Sequence, residues 1–249
     1  MQHTIRFALF ALILLTTMSC SESKMLMKGL SYFPQPLGYE LISPIDSSAK
    51  TDSVILTFSG FNMDSITTVS RQKALILPFL IVNLTEFKYR IQLGANQLQE
   101  DFNDFFFNAL IDESQRSGRF ALCYDSTRSK EVYQLEVIMD TCLTETIFLE
   151  NSLSLYYLYG YMYTYTESSF PANSKISCTL RLRKGDEVLK DTTVTASSTL
   201  AFEEGDNLNR NERMERTSGC LVATLCQSTR DCISKMVQEV NGTLAAQKR

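Results

Sequence analysis

Histidine is nearly missing from this chain: the one imidazole in 249 residues is His3, inside an N-terminal segment with the features of an export signal. Once that segment is removed, Ser-His-Asp and Cys-His nucleophile systems, histidine-ligated zinc and histidine acid–base work are excluded. No glycine-rich phosphate fingerprint occurs, which argues against phosphate-loop, flavin or heme binding. No CxxC pair supports redox catalysis or a zinc ribbon. Basic clusters are also lacking. Lys and Arg total 24 against 28 Asp and Glu, with no concentrated positive footprint for nucleic acid. Carboxylates are plentiful, yet no spacing singles out a glycosidase-like pair. No catalytic residue, metal or cofactor is assigned, and an enzyme is not expected.

Long apolar runs are scarce too, and the longest opens the chain. Arg6 is followed by an uninterrupted apolar stretch, Phe7 to Leu15, and then by Thr16 to Ser19, the charged, apolar, small-residue order of a signal peptide. Such a run is about half of the roughly 20 residues that a spanning helix needs. Its end, Thr17-Met18-Ser19-Cys20, resembles the lipobox of bacterial lipoproteins. That resemblance implies cleavage before Cys20, diacylation of Cys20 and a lipid-anchored place in the cell envelope, at the outer membrane on its periplasmic or surface face. Thr17 stands where a lipobox usually carries Leu, so ordinary cleavage after Ser19 is the alternative. Two or three acyl chains, each contributing about 0.8 kcal/mol per buried methylene, make anchoring stable. Residues 1–19 are read as signal peptide, 20–50 as lipidated cysteine and Pro-bearing tether, and 51–249 as one α+β domain. Losing Arg6 leaves 23 basic and 28 acidic residues, a balance of −5.

Periodicity outlines the domain. Val54 to Phe58 and Lys73 to Phe79 are short apolar runs expected as strands, the second buried on both faces. Leu98, Phe102, Phe105, Phe106 and Ala109 recur at helical spacing, predicting a helix over 96–114 with Asn96 as N-cap and Gly118 beyond its end. Phe120 to Tyr124 reads as a strand, as does the alternating Tyr133, Leu135, Val137, Met139. Ile176 to Arg183, a turn at Lys184 to Glu187, and Val188 to Val194 form the clearest hairpin. Residues 203–216 mix both charges and are expected as a solvated, mobile loop. A helix over about 218–240 has the apolar stripe Val222, Ile233, Met236 and Val240, with Asn241-Gly242 to end it. The fold class expected is α+β: a mixed sheet of about four to six strands, two main amphipathic helices on one face, and a Tyr-rich β-hairpin insertion over 147–172.

With Cys20 assigned to lipid, six of the seven cysteines remain: Cys123, Cys142, Cys178, Cys220, Cys226 and Cys232. An exported chain permits disulfides among them. Helix cysteines six residues apart sit about 9 Å apart along the axis, beyond disulfide reach, so they do not pair with one another. Cys226 and Cys232 flank the apolar stripe and are the candidates to reach the strand cysteines Cys123, Cys142 and Cys178; Cys220 points away. Buried free thiols acting as small hydrophobes are the alternative.

Tyr156, Tyr157, Tyr159, Tyr161, Tyr163 and Tyr165 crowd into ten residues. On one strand, Tyr157, Tyr159, Tyr161, Tyr163 and Tyr165 would line one face and offer phenol rings to a glycan, peptide or lipid headgroup. The other reading is a hairpin centred on Gly160 whose rings pack on the sheet.

Leu75 to Phe79 followed by Asn83, a helix ending Phe107 to Ile111, and Gly118-Arg119-Phe120-Ala121-Leu122 resemble the opening of envelope proteins with the TolB N-terminal and CsgG-like periplasmic fold. Transport-auxiliary and lipopolysaccharide-assembly lipoproteins have a similar layout. The resemblance spans about 73–240, leaves the Tyr-rich insertion outside the pattern, and shows no pore-forming hairpins. It implies a membrane-anchored, non-catalytic scaffold or accessory subunit with an envelope protein partner; a binding module using the Tyr-rich segment is the alternative.

Overall fold

The computed structural model describes residues 33–41, 52–63, 67–72, 75–77, 80–117, 120–123, 132–157, 160–201 and 209–248. The expected signal segment, Cys20 and most of the expected tether lie outside the described residues. The fold is α+β, with one mixed sheet and two long helices. The strands are β1 (Asp52–Ser59), β2 (Thr67–Gln72), β3 (Leu75–Leu77), β4 (Leu80–Gln92), β5 (Phe120–Cys123), β6 (Tyr133–Tyr157), β7 (Gly160–Ser169), β8 (Ala172–Lys184) and β9 (Glu187–Leu200); the helices are α1 (Phe102–Ser117) and α2 (Arg210–Ala246).

The spine is β6, whose 25 residues reach about 80 Å at some 3.3 Å per residue. Its first part runs between β1, parallel, and β8, antiparallel. Its second part runs between β4 and β7, both antiparallel. At Glu145 the partners are Gln92 and Asn173 on opposite edges, so β7 and β8 follow one another along the same edge. Pro171, which has no ladder donor, stands between them. The helices pack on β5, β6, β8 and β9. The sheet formed by β2, β3, β4, the far half of β6 and β7 projects past them as an arm. The short strand β3 falls within the expected run Lys73 to Phe79, whereas β2 and the long β4 go beyond the expected strand set, because their apolar and polar residues alternate too irregularly to show period two.

A bulge keeps β6 facing one way. Leu135, Val137 and Met139 are buried, and beyond Asp140 the buried phase becomes Cys142, Thr144, Thr146, Phe148 and Glu150. The register shifts between Met139 and Thr141, which inserts one residue and moves the inward phase from odd to even numbers. The extra residue, Asp140, is exposed and accepts from Thr179 Oγ1 at 2.7 Å. Without it, everything beyond would present its opposite face.

The predicted stripe of α1 is buried as expected, from Leu98 through Phe102, Phe105 and Phe106 to Ala109, and Phe58 stacks on Phe106 at 5.7 Å. Its start is corrected. Residues 95–97 form a 3-10 turn, and Asp101 rather than Asn96 caps α1, accepting from Asn103 N at 2.8 Å and Asp104 N at 3.2 Å. An aspartate there also suits the positive end of the helix dipole.

The larger correction concerns the segment before α2. Residues 210–216, expected as part of a mobile loop, are helical, and α2 runs 37 residues, about 55 Å. Asn209 and Glu212 form a reciprocal capping box, Glu212 N to Asn209 Oδ1 at 3.0 Å and Asn209 N to Glu212 Oε2 at 2.9 Å. Met214 and Thr217 carry the buried stripe back to that cap. At the other end Leu244 continues the stripe from Val240, so Asn241-Gly242 does not end the helix: packing outweighs the roughly 1 kcal/mol cost of a helical glycine. Between β8 and β9, Gly185 adopts φ 59°, a value that favours glycine in a tight turn.

A chain of hydroxyls crosses the interior between sheet and helix. Thr144 Oγ1 lies 2.8 Å from Ser174 Oγ, which lies 2.6 Å from Ser228 Oγ, which donates to the Leu225 carbonyl at 2.9 Å. Each hydroxyl has one proton. All three contacts are hydrogen bonds only if the protons run from Thr144 to Ser174 to Ser228 to Leu225 O.

Candidate functional site

Three places gather the chemistry-bearing residues: a thiol cluster under α2, a cleft beneath the N-terminal segment, and the sheet arm.

The thiol cluster answers the cysteine question in part. Cys178, on the inward phase of β8, and Cys232, on the buried face of α2, are wholly buried with their Sγ atoms 3.9 Å apart. Cys142 on β6 is 3% exposed and joins the same interior group. Burial, with the neighbouring Cys232, pushes the Cys142 thiol up to about 12. Hydrogen bonding to Cys232 and burial push Cys178 upward as well. Cys226 is not part of this group: it is half-buried beneath residue 38, where Gly38 N donates to its Sγ at 3.3 Å. Cys123 belongs to β5, at a register position level with Ile55 and so with Gln134, well short of Cys142 along the spine. Cys220, expected to point away, is half-buried and its thiol lies 3.7 Å from the Leu200 carbonyl, because α2 packs its early turns against the end of β9.

The described part of the tether, residues 33–41, lies along the domain. Gln35 bridges to Leu98 in parallel fashion, with Gln35 N to Gln97 O and Gln99 N to Gln35 O both at 3.2 Å. Ser218 of α2 donates to the Phe33 carbonyl at 3.2 Å. Farther on, the Tyr39 phenol donates to Glu113 Oε2 at 3.3 Å and its ring meets Phe105 edge-on at 6.4 Å. Burial, then the adjacent Glu113 charge, raises the Tyr39 phenol above its ordinary range. Between this strap and α2 lies an open cleft of about 500 Å³ lined by residues including Pro36, Tyr39, Cys226 and Arg230. Arg230 faces Glu40 across it at 3.6 Å. Burial also raises the Cys226 thiol, which works against a thiolate nucleophile there. Sequence reasoning did not find Tyr39, Glu113 or Arg230, since nothing in a Pro-bearing tether signals which of its side chains docks.

The arm carries the tyrosines. β6 ends at Tyr157 and β7 begins at Gly160, so the stretch is a hairpin whose turn residues, with Tyr159, lie outside the described residues. The register pairs Tyr156 with Tyr161, Ser154 with Tyr163, and Ser152 with Tyr165. Residues directly opposite share a face. Tyr161, Tyr163 and Tyr165 therefore share one with Tyr156, while Tyr157, next in the chain and paired with Gly160, falls on the other. The expectation that Tyr157 lines a face with Tyr161, Tyr163 and Tyr165 is corrected: the strand reverses between them. The tyrosine face continues down the arm as Phe148, Glu150 and Tyr89, where the Tyr89 phenol donates to buried Glu150 at 2.9 Å. The opposite face bears exposed Met162, Thr164 and Thr166. On it, Arg90 forks onto Glu145 at 2.6 and 2.7 Å, a contact that pins register more than it adds stability at such exposure.

Among the described residues β2 and β7 each pair with one strand only, so both sides of the arm end in an unpaired ladder. The edge of β9 differs: Lys235 of α2 reaches across it to the Thr195 carbonyl at 2.8 Å, a guard of the kind that blunts edge pairing. Among the described residues no group of three or more His, Cys, Asp or Glu could hold a metal ion, and no helix is long and apolar enough to cross a membrane.

No protein-family model matches the chain, and no curated protein matches it. Among solved structures it is similar to the crystal structure of a Xanthomonas campestris protein of the family model DUF330, at 11% identity over 86% of this chain and 98% of that one, with a TM-score of 0.38.

Proposed function

We propose that this chain is a lipid-anchored envelope protein, held through Cys20, that acts as a non-catalytic scaffold or accessory subunit of a transport or assembly complex and docks its partner on the sheet arm. The observation that carries this reading is the arm itself: strands of up to 13 residues beside a 25-residue spine, where most strands have 3–10, with a ladder on each side that is unpaired among the described residues. Such edges are templates for pairing with another chain, and recognition by strand addition uses main-chain hydrogen bonds along an edge of this kind. The strap fits the same reading. From Cys20 to Phe33 is 13 residue steps, at most about 45 Å fully extended, so a lipid on Cys20 would hold the domain close to a membrane surface.

Photo-crosslinking amino acids at the exposed arm positions Thr164 and Thr166, with exposed Asp112 of α1 as control, test the proposal in intact cells. Arm positions are expected to capture a discrete membrane-protein partner and Asp112 none. Capture from Asp112 alone, or from none of the three, refutes docking on the arm. Partition of the mature protein wholly into the aqueous phase of a detergent extraction refutes the anchor.

A second reading, binding of a glycan, peptide or lipid headgroup, is favoured by the register that sets Tyr156, Tyr161, Tyr163 and Tyr165 on one face. It differs in what it survives: replacing Tyr161, Tyr163 and Tyr165 with Ala would abolish ligand retention but leave main-chain edge pairing in place.

A further inference from the structure

We propose that Cys178 and Cys232 form a disulfide that staples α2 to β8, and that the bond is made before α2 seats rather than afterwards. The geometry selects the pair. Their Sγ atoms already lie 3.9 Å apart, so bond formation requires an approach of about 2 Å, within the reach of small side-chain rotations. They come from elements far apart in sequence, 54 residues, and they face each other at the centre of the helix–sheet interface. Among the described side chains Cys142 shares the cluster and is the competitor there; Cys226 is occupied beneath the strap at Gly38.

The timing follows from access and ionisation. Neither sulfur is exposed at all in the folded chain, so a dissolved oxidant cannot reach them. Exchange also needs a thiolate, and the hydrogen bond with Cys232, together with burial, holds the Cys178 thiol protonated well above neutral pH. In an unfolded or half-docked chain both restraints vanish. There one thiolate attacks an external disulfide, of the glutathione or dithiol-oxidoreductase class, and releases one thiol from it. The second protein thiolate then attacks the resulting mixed disulfide and expels the other half as a thiol. Two protein thiols are oxidised to one S–S bond, the external disulfide is reduced to two thiols, and the protons from the protein thiols end on the released ones.

Refolding the full chain from denaturant in a glutathione redox buffer, followed by thiol blocking and tryptic mapping, tests both parts. Trypsin places Cys178 in Ile176–Arg181 and Cys232 in Asp231–Lys235, Cys142 in a long peptide over 131–175, and Cys220 with Cys226 in one over 217–230. The expected product joins Ile176–Arg181 to Asp231–Lys235, persists in Cys142→Ala, and raises Tm by about 10 °C for a loop of this length. Protein first refolded with reductant and then moved into the same buffer is expected to stay unlinked. A link to the Cys142 peptide, or no link in refolded protein with native circular dichroism, overturns the pairing. Linking of the folded reduced protein as fast as of the unfolded chain overturns the timing. The test needs neither anchor nor envelope partner, so its outcome is independent of the proposed function.

Discussion

Ser174→Ala should cost more than its size suggests, because Ser174 is the middle link of the hydroxyl chain. The substitution removes one oxygen and leaves the methylene, so little apolar contact is lost. Ser228 keeps its bond to the Leu225 carbonyl and is left lacking only a donor. Thr144 loses the acceptor for its proton, at a position with no solvent exposure. A buried donor left unsatisfied costs about 1–3 kcal/mol, and we expect about 2 kcal/mol here. With an m-value of about 3 kcal/mol/M in urea, that lowers the midpoint by roughly 0.7 M. The decisive measurement is a double-mutant cycle with Thr144→Val, which removes the proton that Ser174→Ala strands. If the directed chain is correct, the double variant is more stable than the sum of the single losses predicts, by about 1 kcal/mol or more. Strict additivity, or a loss below about 0.5 kcal/mol for Ser174→Ala alone, refutes the assignment of protons along the chain.

Two further outcomes are expected. Gly60→Ala drives a Cβ into Asn103 Oδ1, displacing the side chain that accepts from Phe61 N at 2.9 Å and donates to Phe61 O at 3.2 Å; a loss of about 1–2 kcal/mol should appear as a lower Tm, and an unchanged Tm counts against the clamp. In alkali the sign for Cys142 is fixed by its raised value: the unfolded thiol ionises from its ordinary 9.0, the folded one only near 12, so its contribution is complete below pH 9 and is lost as pH rises from 9 to 12. Stability then falls by up to about 1.4 kcal/mol per pH unit for this group, and urea midpoints from pH 8 to 11 should fall less steeply for Cys142→Ala; equal slopes refute the burial argument.

What was legible in the sequence was single-element periodicity. The α1 stripe from Phe102 to Ala109, the α2 stripe from Val222 to Val240 and the hairpin around Gly185 needed only spacing and turn chemistry. The register of β6 was not legible, because the bulge at Asp140 interrupts the alternation and one strand then reads as two short ones. β4 was missed for a related reason. Leu80-Ile81-Val82 and Glu86-Phe87-Lys88 suggest different periods, and pairing along 13 positions with β6 overrides both. The tyrosine face was misassigned at Tyr157 because a hairpin turn reverses phase, and repeated tyrosines do not mark where it falls. Of the cysteines, helix spacing directed both Cys226 and Cys232 toward the strands; the Cys232 Sγ lies 3.9 Å from that of Cys178, while Cys226 sits under a strap whose course no local pattern encodes.

These omissions share a cause that bears on how α2 is placed. An apolar stripe fixes which face of a helix is buried, but a row of Val, Ile and Met packs nearly as well if the helix slides along the sheet. Directional contacts remove that freedom. Ser228 must meet Ser174 and, on the proposed pairing, Cys232 must meet Cys178, and the two contacts lie one helical turn apart on α2 and on the same face of β8. The two contacts are four residues apart on each element, about 6 Å along the helix and about 13 Å along the strand, so side chains from two separated strand positions converge on one helical turn and together fix its axial position. A helix displaced by one turn would set Cys232 against Ser174 and leave the Cys178 thiol and the Thr144 hydroxyl without their partners, in an interior where such groups cost most.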